Sequence, residues 1–476
     1  MVNPIIRSLT PLARFYSLGF LHEKNIERSQ TALLSKKLRS LSRTTIGREL
    51  GAPSKEIQGM PITTYEFYRK YYENPSEGDF MYPLSEYLLA TTSGTMGRPK
   101  KYLIPKPAVI DNMMKTGLSM TIISSHDGDR YTFEFGDVIY TNAPGGNFIS
   151  AHNVELGGKK TSAFIKQVPD PNLSFREKVD YFVKNHESID YAYMTVPTLL
   201  DTVYPRIGEP FHLKGFMTQD SSAAVLKDEI KAVTGNYPKV TYGSTEALAS
   251  TLPSVEHPGG FFFDWRICYV ELIPEENKVP MDAGRVDEPP ETVYFMDAEA
   301  GRRYQVVVTP FKTDLTRYAM PDILECVDTG DSVLGSDSTV FKYYSRSDRL
   351  IVLHNFTRTS ENEILQVLSD AGIPFVDFVA RKEREGSREY MVLYLELSAP
   401  MAEQEVYDRV NRGLTDFDRD WRDLVDFMEY VPLKLRLLPR GSFSRYLEAK
   451  EGMPRVDRME MRDELLDRLL GKRETA

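Results

Sequence analysis

One polar run constrains the fold of this 476-residue chain more than any other. From Thr91 to Lys101 it reads Thr-Thr-Ser-Gly-Thr-Met-Gly-Arg-Pro-Lys-Lys, between the apolar runs 87–90 and 102–104. Glycines let the backbone approach a ligand, while hydroxyls, N–H groups and a lysine offer donors and charge to phosphate. The pattern predicts a loop between two strands that wraps a polyphosphate. The candidate residues of this loop are Thr92, Ser93, Gly94, Thr95, Gly97 and Lys100.

A polar hairpin turn is the alternative interpretation of this run, because Ser, Thr, Gly and Pro all favour turns. The run is not a Walker A motif, which requires Gly-x-x-x-x-Gly-Lys-Ser/Thr at the start of a helix. Pro99 and the apolar residues that follow favour a strand instead.

Composition argues against nucleic acid and an anionic membrane as partners. The net charge of -10 provides no basic excess to replace the counterions of nucleic acid or to bind an anionic membrane. No run reaches the ~18 apolar residues of a membrane span, and prolines and arginines interrupt the N-terminus, so a cytoplasmic protein is expected. Cys268 and Cys326 lie in apolar runs typical of buried thiols.

The order of predicted elements indicates two domains. Strands and helices alternate and then strands cluster, which is typical of a large α/β domain with a β-rich part, assigned to residues 1–343. Residues 344–476 are predicted to form a small α+β domain of order βαββαβ. Its first helix begins at Ser360 with a capping box.

A second motif, Tyr242-Gly243-Ser244-Thr245-Glu246, follows the predicted strand 239–242. Its aromatic ring can stack on adenine, its glycine allows close approach, and Glu246 can hold Mg2+ through oxygen. Taken alone, the motif is equally typical of a strand end with a turn.

Two aspartates compete as the residue that binds ribose. Asp322 comes just before an apolar strand, where its carboxylate can accept hydrogen bonds from both ribose hydroxyls. Asp331 lies in the sequence Thr-Gly-Asp. It can be interpreted either as the ribose ligand or as a residue of a turn.

In this order the three motifs closely resemble those of the adenylate-forming superfamily, which includes acyl-CoA ligases, luciferases, peptide-synthetase adenylation domains and amido synthetases. The resemblance implies that the loop binds ATP phosphates and that residues 242–246 serve adenine and Mg2+. It also places the ribose aspartate in an Arg-Tyr-x-x-x-Asp segment, which favours Asp322. The segment Arg346-Ser347-Asp348 resembles the superfamily's hinge, about which the small domain rotates.

Further segments resemble the auxin-responsive Gretchen-Hagen (GH3) family of acyl-acid amido synthetases. They are residues 68–80, 270–276, 317–324 and 439–447. The resemblance implies a large N-terminal adenylate-forming domain with a small mobile C-terminal α+β domain. It also implies a monomeric ligase that uses ATP and Mg2+ to activate a carboxylic acid and passes the acyl group to an amine, an amino acid.

One departure concerns the C-terminal lysine. The family tends to end in Lys-x-Pro-Arg, but this chain has Gly452 at the lysine position. Lys450, two residues upstream, is the candidate replacement, and Arg455 is the alternative. Two other functions stay open, and the second of them is suggested by Gly452. One is an acyl-CoA ligase similar to the phenylacetate branch, and the other is a nucleotide-binding homologue that has lost catalysis.

Overall fold

A computed structural model describes residues 7–52, 56–91, 100–143, 146–147, 149–162, 164–248, 250–347, 350–353, 357–385, 388–418, 421–422, 424–425, 430–449 and 455–472. These residues form two compact units. One comprises the described residues up to 343 except 195–209, and the other comprises 195–209 and the residues from 344 onward. The sequence analysis assigned 195–209 to the large domain, whereas its contacts group it with the C-terminal unit.

The first unit contains most of the strands in the described part of the chain. In chain order they are β1 Ile62–Thr63, β2 Tyr87–Thr91, β3 Lys101–Pro105, β4 Val138–Thr141, β5 Lys166–Val168, β6 Tyr191–Tyr193, β7 Gly215–Thr218, β8 Lys239–Val240, β9 Thr251–Pro253, β10 Phe261–Phe263, β11 Cys268–Pro274, β12 Arg285–Val286, β13 Val293–Tyr294, β14 Arg303–Pro310, β15 Tyr318–Asp328 and β16 Val340–Arg346.

One sheet of this unit is parallel. Its strand order is β5-β4-β6-β7-β8, and each neighbouring pair is parallel. Helices connect its strands, including Phe175–Asn185, which begins with a capping box at Ser174, and Lys227–Thr234. Ligands bind at the carboxyl ends of strands in such sheets. The segments that follow β4 and β8 begin at this carboxyl edge, where a ligand site is expected.

A mixed sheet contains Asp322, which lies in strand β15. Its main strand order is β13-β11-β14-β15-β16-β10-β9, and β1 pairs with both β12 and β15. Strands β11, β14 and β15 are buried almost throughout, which explains their mainly apolar sequences. A separate antiparallel hairpin joins β2 to β3 in the register Thr91↔Lys101. The two strands predicted on either side of the polar loop are thus confirmed.

Helices pack around these sheets. In the first unit they are Thr10–Leu18, Ile26–Leu41, Thr45–Leu50, Tyr65–Glu73, Lys106–Asn112, Leu118–Ser124, Ile149–His152, Gly158–Thr161, Phe175–Asn185 and Lys227–Thr234. The helix Ile26–Leu41 is held by Lys37, whose buried ammonium donates to the carbonyls of Pro310, Thr313 and Leu315 at 2.6–2.8 Å. No helix among the described residues is long and apolar enough to cross a membrane.

The second unit follows the order βαββαβ predicted for residues 344–476, except for one additional strand before the first helix. Its strands are β17 Ile351–Leu353, β18 Thr357–Thr359, β19 Phe375–Glu385, β20 Arg388–Leu397 and β21 Leu433–Leu438. Its helices are Tyr204–Ile207, Glu361–Asp370, Glu403–Phe417, Ser442–Glu448 and Asp463–Leu469. The capping box at Ser360 is confirmed. Rotation of this unit about a hinge stays a prediction.

Candidate active site

The β2–β3 hairpin holds the base of the polar loop. The predicted phosphate-binding residues Thr92, Ser93, Gly94, Thr95 and Gly97 lie outside the described residues, so their role stays a prediction. Lys100 is described, and its ammonium lies 5.1 Å from the centroid of the Tyr65 ring, a cation–π contact. The Tyr65 hydroxyl accepts a hydrogen bond from the Lys101 backbone N–H at 3.1 Å. Lys100 and Lys101, at the end of the loop, therefore both contact the helix Tyr65–Glu73.

The motif 242–246 begins just after β8, at the carboxyl edge of the parallel sheet. The Thr251 hydroxyl accepts a hydrogen bond from the Tyr242 N–H and donates one to its carbonyl. The Ser244 hydroxyl closes a turn by accepting from the Ala247 N–H at 2.9 Å. Leu248 has a left-handed φ of 58°, and its carbonyl accepts from the Asn112 amide at 2.6 Å. Non-glycine residues rarely adopt such a φ, so surrounding contacts hold this turn in place.

Tyr242 and Asp322 are 80 residues apart in sequence but adjacent in the structure. The Tyr242 hydroxyl donates to a carboxylate oxygen of Asp322 at 2.7 Å, and both side chains are buried. Phe261 stacks on the Tyr242 ring, with 5.5 Å between the ring centroids. An adenine base would therefore have to stack on the opposite face of Tyr242. This hydrogen bond brings together the motifs proposed for adenine and for ribose.

Both carboxylate oxygens of Asp331, the competing aspartate, accept hydrogen bonds from nearby protein groups. One of its carboxylate oxygens accepts from the Ser254 hydroxyl at 2.7 Å and from the N–H groups of Val255 and Glu256 at 2.8 and 3.2 Å. The other accepts from the Leu334 N–H at 3.0 Å. The side chain is fully buried. These contacts favour the interpretation of Asp331 as a turn residue.

Glu246 is buried, and its Oε1 accepts a hydrogen bond from the Tyr102 hydroxyl at 2.7 Å. Within the described part of the chain, its Oε2 has no hydrogen-bond partner. The same residues contain no cluster of three or more His, Cys, Asp or Glu side chains that could cage a metal. Mg2+ commonly binds through one or two carboxylates together with substrate phosphates and water. A single available carboxylate oxygen beside the phosphate-loop hairpin fits that mode.

A second buried tyrosine, Tyr318, extends the contact between Tyr102 and Glu246. The hydroxyl oxygens of Tyr102 and Tyr318 lie 2.9 Å apart. Burial, with the charge of Glu246 as the next cause, raises the pKa of both tyrosines well above the ordinary value. Both hydroxyls therefore keep their protons and remain hydrogen-bond donors at physiological pH.

A buried ion pair fixes the start of β15, the strand that carries Tyr318 and Asp322. Arg317 binds both carboxylate oxygens of Glu271, at 3.0 and 2.8 Å, and also donates to the carbonyls of Gln58 and Met60 and to the Thr292 hydroxyl. Every guanidinium N–H is used in this way. The backbone φ of Arg317 is 43°, a left-handed value that these contacts stabilise.

The roles of three other predicted site residues stay predictions. Asp348 and Lys450, like Gly452, lie outside the described residues, and Arg346 is the last residue of β16. Gly243, Ser244 and Thr245 lie between Tyr242 and Glu246, and their role in binding the nucleotide stays a prediction.

The roles of Tyr102 and Glu271 were not predicted from the sequence. Tyr102 was read only as part of an apolar strand, and Glu271 only as part of a segment that resembles the family. The one available signal was a charged residue within a seven-residue strand that is otherwise apolar. A carboxylate rarely occupies such a position without a partner.

Comparisons with known proteins bear on the family and the fold. A family model described as the GH3 family central domain matches residues 261–333. A probable indole-3-acetic acid-amido synthetase GH3.2 of Oryza sativa subsp. japonica is 25% identical over 205 residues, 38% of this chain. The aligned part spans only 31% of that relative's length.

Solved structures match over nearly the whole chain. The GH3.15 acyl acid amido synthetase in complex with 2,4-DB gives a TM-score of 0.70 at 14% identity and covers 96% of both chains. A 2-hydroxyisobutyryl-CoA ligase in the postadenylation state gives 0.65 at 15% identity, covering 95% of this chain and 94% of that one. These findings confirm the resemblance predicted from the motifs: residues 261–333 match the GH3 family central domain, and the chain has the fold of GH3 amido synthetases and adenylate-forming ligases.

Proposed function

We propose that this chain is an ATP-dependent ligase that activates a small carboxylic acid as an acyl-adenylate and transfers the acyl group to an amino acid. The observation that carries the proposal is the 2.7 Å hydrogen bond between Tyr242 and Asp322, because it joins the two nucleotide motifs in one buried place. The GH3 central domain at residues 261–333 supports the same function.

Each residue of the proposed site has a binding or orienting role. Asp322 accepts hydrogen bonds from the ribose hydroxyls, and the Tyr242 ring stacks on adenine. Thr92, Ser93, Gly94, Thr95, Gly97 and Lys100 surround the phosphates and offset the negative charge that develops on them. Glu246 would hold Mg2+, which supplies charge neutralisation of the phosphates. Lys450 is the proposed cation from the C-terminal unit.

The reaction needs two displacements. First, a carboxylate oxygen of the substrate attacks the α-phosphorus of ATP, and pyrophosphate leaves. Next, the amine nitrogen attacks the acyl carbon, loses a proton, and AMP leaves with the electrons of the broken acyl–oxygen bond. Neither step needs a covalent nucleophile from the protein. Positioning and charge stabilisation can therefore supply the catalysis.

An acyl-CoA ligase is the second candidate, because the fold also matches the 2-hydroxyisobutyryl-CoA ligase. In that reaction a thiol replaces the amine as the acceptor. The two candidates share the adenylation step and differ only in the second displacement.

Product analysis separates these functions. The protein is incubated with ATP, Mg2+ and a panel of carboxylic acids, either with mixed amino acids or with CoA, and products are identified by mass. We expect an amide and AMP in the amino-acid reactions. A thioester with CoA, and no amide with any amino acid, would contradict the amido synthetase assignment while leaving the adenylation step intact.

The compartment and oligomeric state belong to the same proposal. Cys268 and Cys326 are both free and buried, which fits a reducing environment. We propose a cytoplasmic monomer, and light scattering of the purified chain should give a mass near 54.4 kDa.

A further inference from the structure

A short chain of hydroxyl groups ends on the proposed metal ligand. The Tyr102 hydroxyl lies 2.7 Å from Oε1 of Glu246, and the Tyr318 hydroxyl lies 2.9 Å from that of Tyr102. Tyr102 and Tyr318 are almost completely buried. In the sequence, Tyr102 belongs to the apolar run after the polar loop, and Tyr318 is the tyrosine of the Arg-Tyr-x-x-x-Asp segment.

The direction of each hydrogen bond follows from the number of protons available. An ionised carboxylate can only accept, so the single hydroxyl proton of Tyr102 is used on Glu246. Tyr102 must then accept at its oxygen, which makes Tyr318 the donor of the second bond. Hydrogen bonds in such a series polarise one another, so the Tyr318 bond strengthens the bond from Tyr102 to Glu246.

Aromatic packing prevents the two hydroxyls from moving away. The Tyr102 ring packs edge-on against Tyr65 at 5.3 Å and lies 5.6 Å from Tyr72, while the Tyr318 ring lies 6.1 Å from Tyr68. These three partners belong to one helix, Tyr65–Glu73. That helix also contacts Lys100 and Lys101 at the end of the phosphate loop.

We propose that Tyr102 is a positioning residue for Mg-ATP and that Tyr318 acts through it. The Tyr102 hydroxyl occupies Oε1 of Glu246 and leaves Oε2 for the metal. Because Tyr102 pairs with Ala90 across the hairpin that carries the phosphate loop, the same side chain sets the position of the metal carboxylate relative to the phosphates. This inference rests on the proposed function, in which Glu246 holds Mg2+.

The test measures binding rather than turnover. ATP is titrated calorimetrically into wild type and the single variants Tyr102→Phe, Tyr318→Phe, Glu246→Gln and Tyr394→Phe. Two double variants combine Tyr102→Phe with Tyr318→Phe or with Glu246→Gln. Each titration is run with saturating Mg2+ and with a chelator, without an acid substrate. Tyr102→Phe should weaken ATP binding in Mg2+ by roughly ten- to a hundredfold, the usual effect of losing a partner of a metal ligand. In the chelator it should bind ATP as wild type does.

The double variants distinguish positioning from general destabilisation. Because Tyr318 acts only through Tyr102, Tyr318→Phe should weaken Mg-dependent binding by itself but add nothing in the Tyr102→Phe background. Tyr102→Phe should likewise add nothing to Glu246→Gln. Tyr394→Phe is the matched control, because the Tyr394 hydroxyl also binds a glutamate, Glu383, at 2.7 Å but in the other unit. It should leave ATP binding unchanged in both conditions.

Three outcomes have distinct meanings. Loss of ATP affinity that is the same with and without Mg2+ would overturn the inference, since it would indicate a structural role. So would Mg-dependent binding in Tyr102→Phe equal to that of wild type. If wild type itself shows no Mg-dependent ATP binding, the proposed function fails, and this inference fails with it.

Discussion

Replacing Asp322 with alanine should weaken ATP binding by a hundredfold or more, whereas replacing Asp331 should leave ATP affinity nearly unchanged. If Asp322 accepts both ribose hydroxyls, the variant loses two charge-assisted hydrogen bonds, each worth about 1.5–3 kcal/mol. Calorimetric titration of ATP into the folded variants measures this loss. Asp322→Asn keeps the shape of the side chain and should show the same direction of change.

Asp331→Ala should instead lower stability. It leaves four hydrogen-bond donors around a fully buried site without their acceptor: the Ser254 hydroxyl and the N–H groups of Val255, Glu256 and Leu334. Each unsatisfied buried donor costs about 1–3 kcal/mol. If this variant does not fold, Asp331→Asn, which keeps part of the network, takes its place. The opposite ranking of the two aspartates in ATP affinity would show that Asp331 binds the ribose.

Arg317→Met should lower the free energy of unfolding of the first unit by about 3–5 kcal/mol, because it leaves the buried Glu271 carboxylate unpaired. The chain has two tryptophans, Trp265 in the first unit and Trp421 in the second. A Trp421→Phe background therefore lets Trp265 fluorescence report urea unfolding of the first unit. Adding Glu271→Leu should recover part of the loss, because no unpaired charge then remains.

An exposed arginine provides the control for Arg317. Arg302 contacts Glu276 and Glu299 at 3.2 and 3.4 Å, and its side chain is 44% exposed. Since exposed ion pairs contribute little, Arg302→Met should change stability by less than about 1 kcal/mol. An Arg317→Met variant that is no less stable than Arg302→Met would contradict the proposed importance of the buried pair.

Local patterns predicted much of the fold. The apolar runs beside the polar loop became the paired strands β2 and β3. The Ser360 capping box began a helix because its hydrogen bonds involve only residues within one turn. The strand predicted at residues 239–242, before the glycine, is present as Lys239–Val240. These features depend on neighbours in the sequence, so one sequence suffices to infer them.

Long-range pairing was not readable in the same way. Tyr102 and Glu246 are 144 residues apart, and Arg317 and Glu271 are 46 apart. Each pair forms because the fold of the first unit brings two distant segments of the chain together. Nothing in the local sequence of Tyr102 distinguishes a core aromatic residue from a hydroxyl donor to a carboxylate. The structure was therefore needed to connect the motifs into one site.

The role of the C-terminal lysine remains a prediction from sequence. Lys450 lies between the helix Ser442–Glu448 and a segment whose Arg458 donates to Asp377 at 2.6 Å. A cation contributed to the developing phosphate charge should speed adenylation rather than amide formation.

Acid-dependent exchange of labelled pyrophosphate into ATP tests the central claim most directly. The exchange requires that the enzyme form an acyl-adenylate and reverse the step, and it needs neither an amine nor CoA. We predict that label enters ATP only when Mg2+ and a suitable carboxylic acid are both present. If the protein binds ATP but no acid in a broad panel supports exchange, it binds the nucleotide without activating an acid, and the proposed function is contradicted.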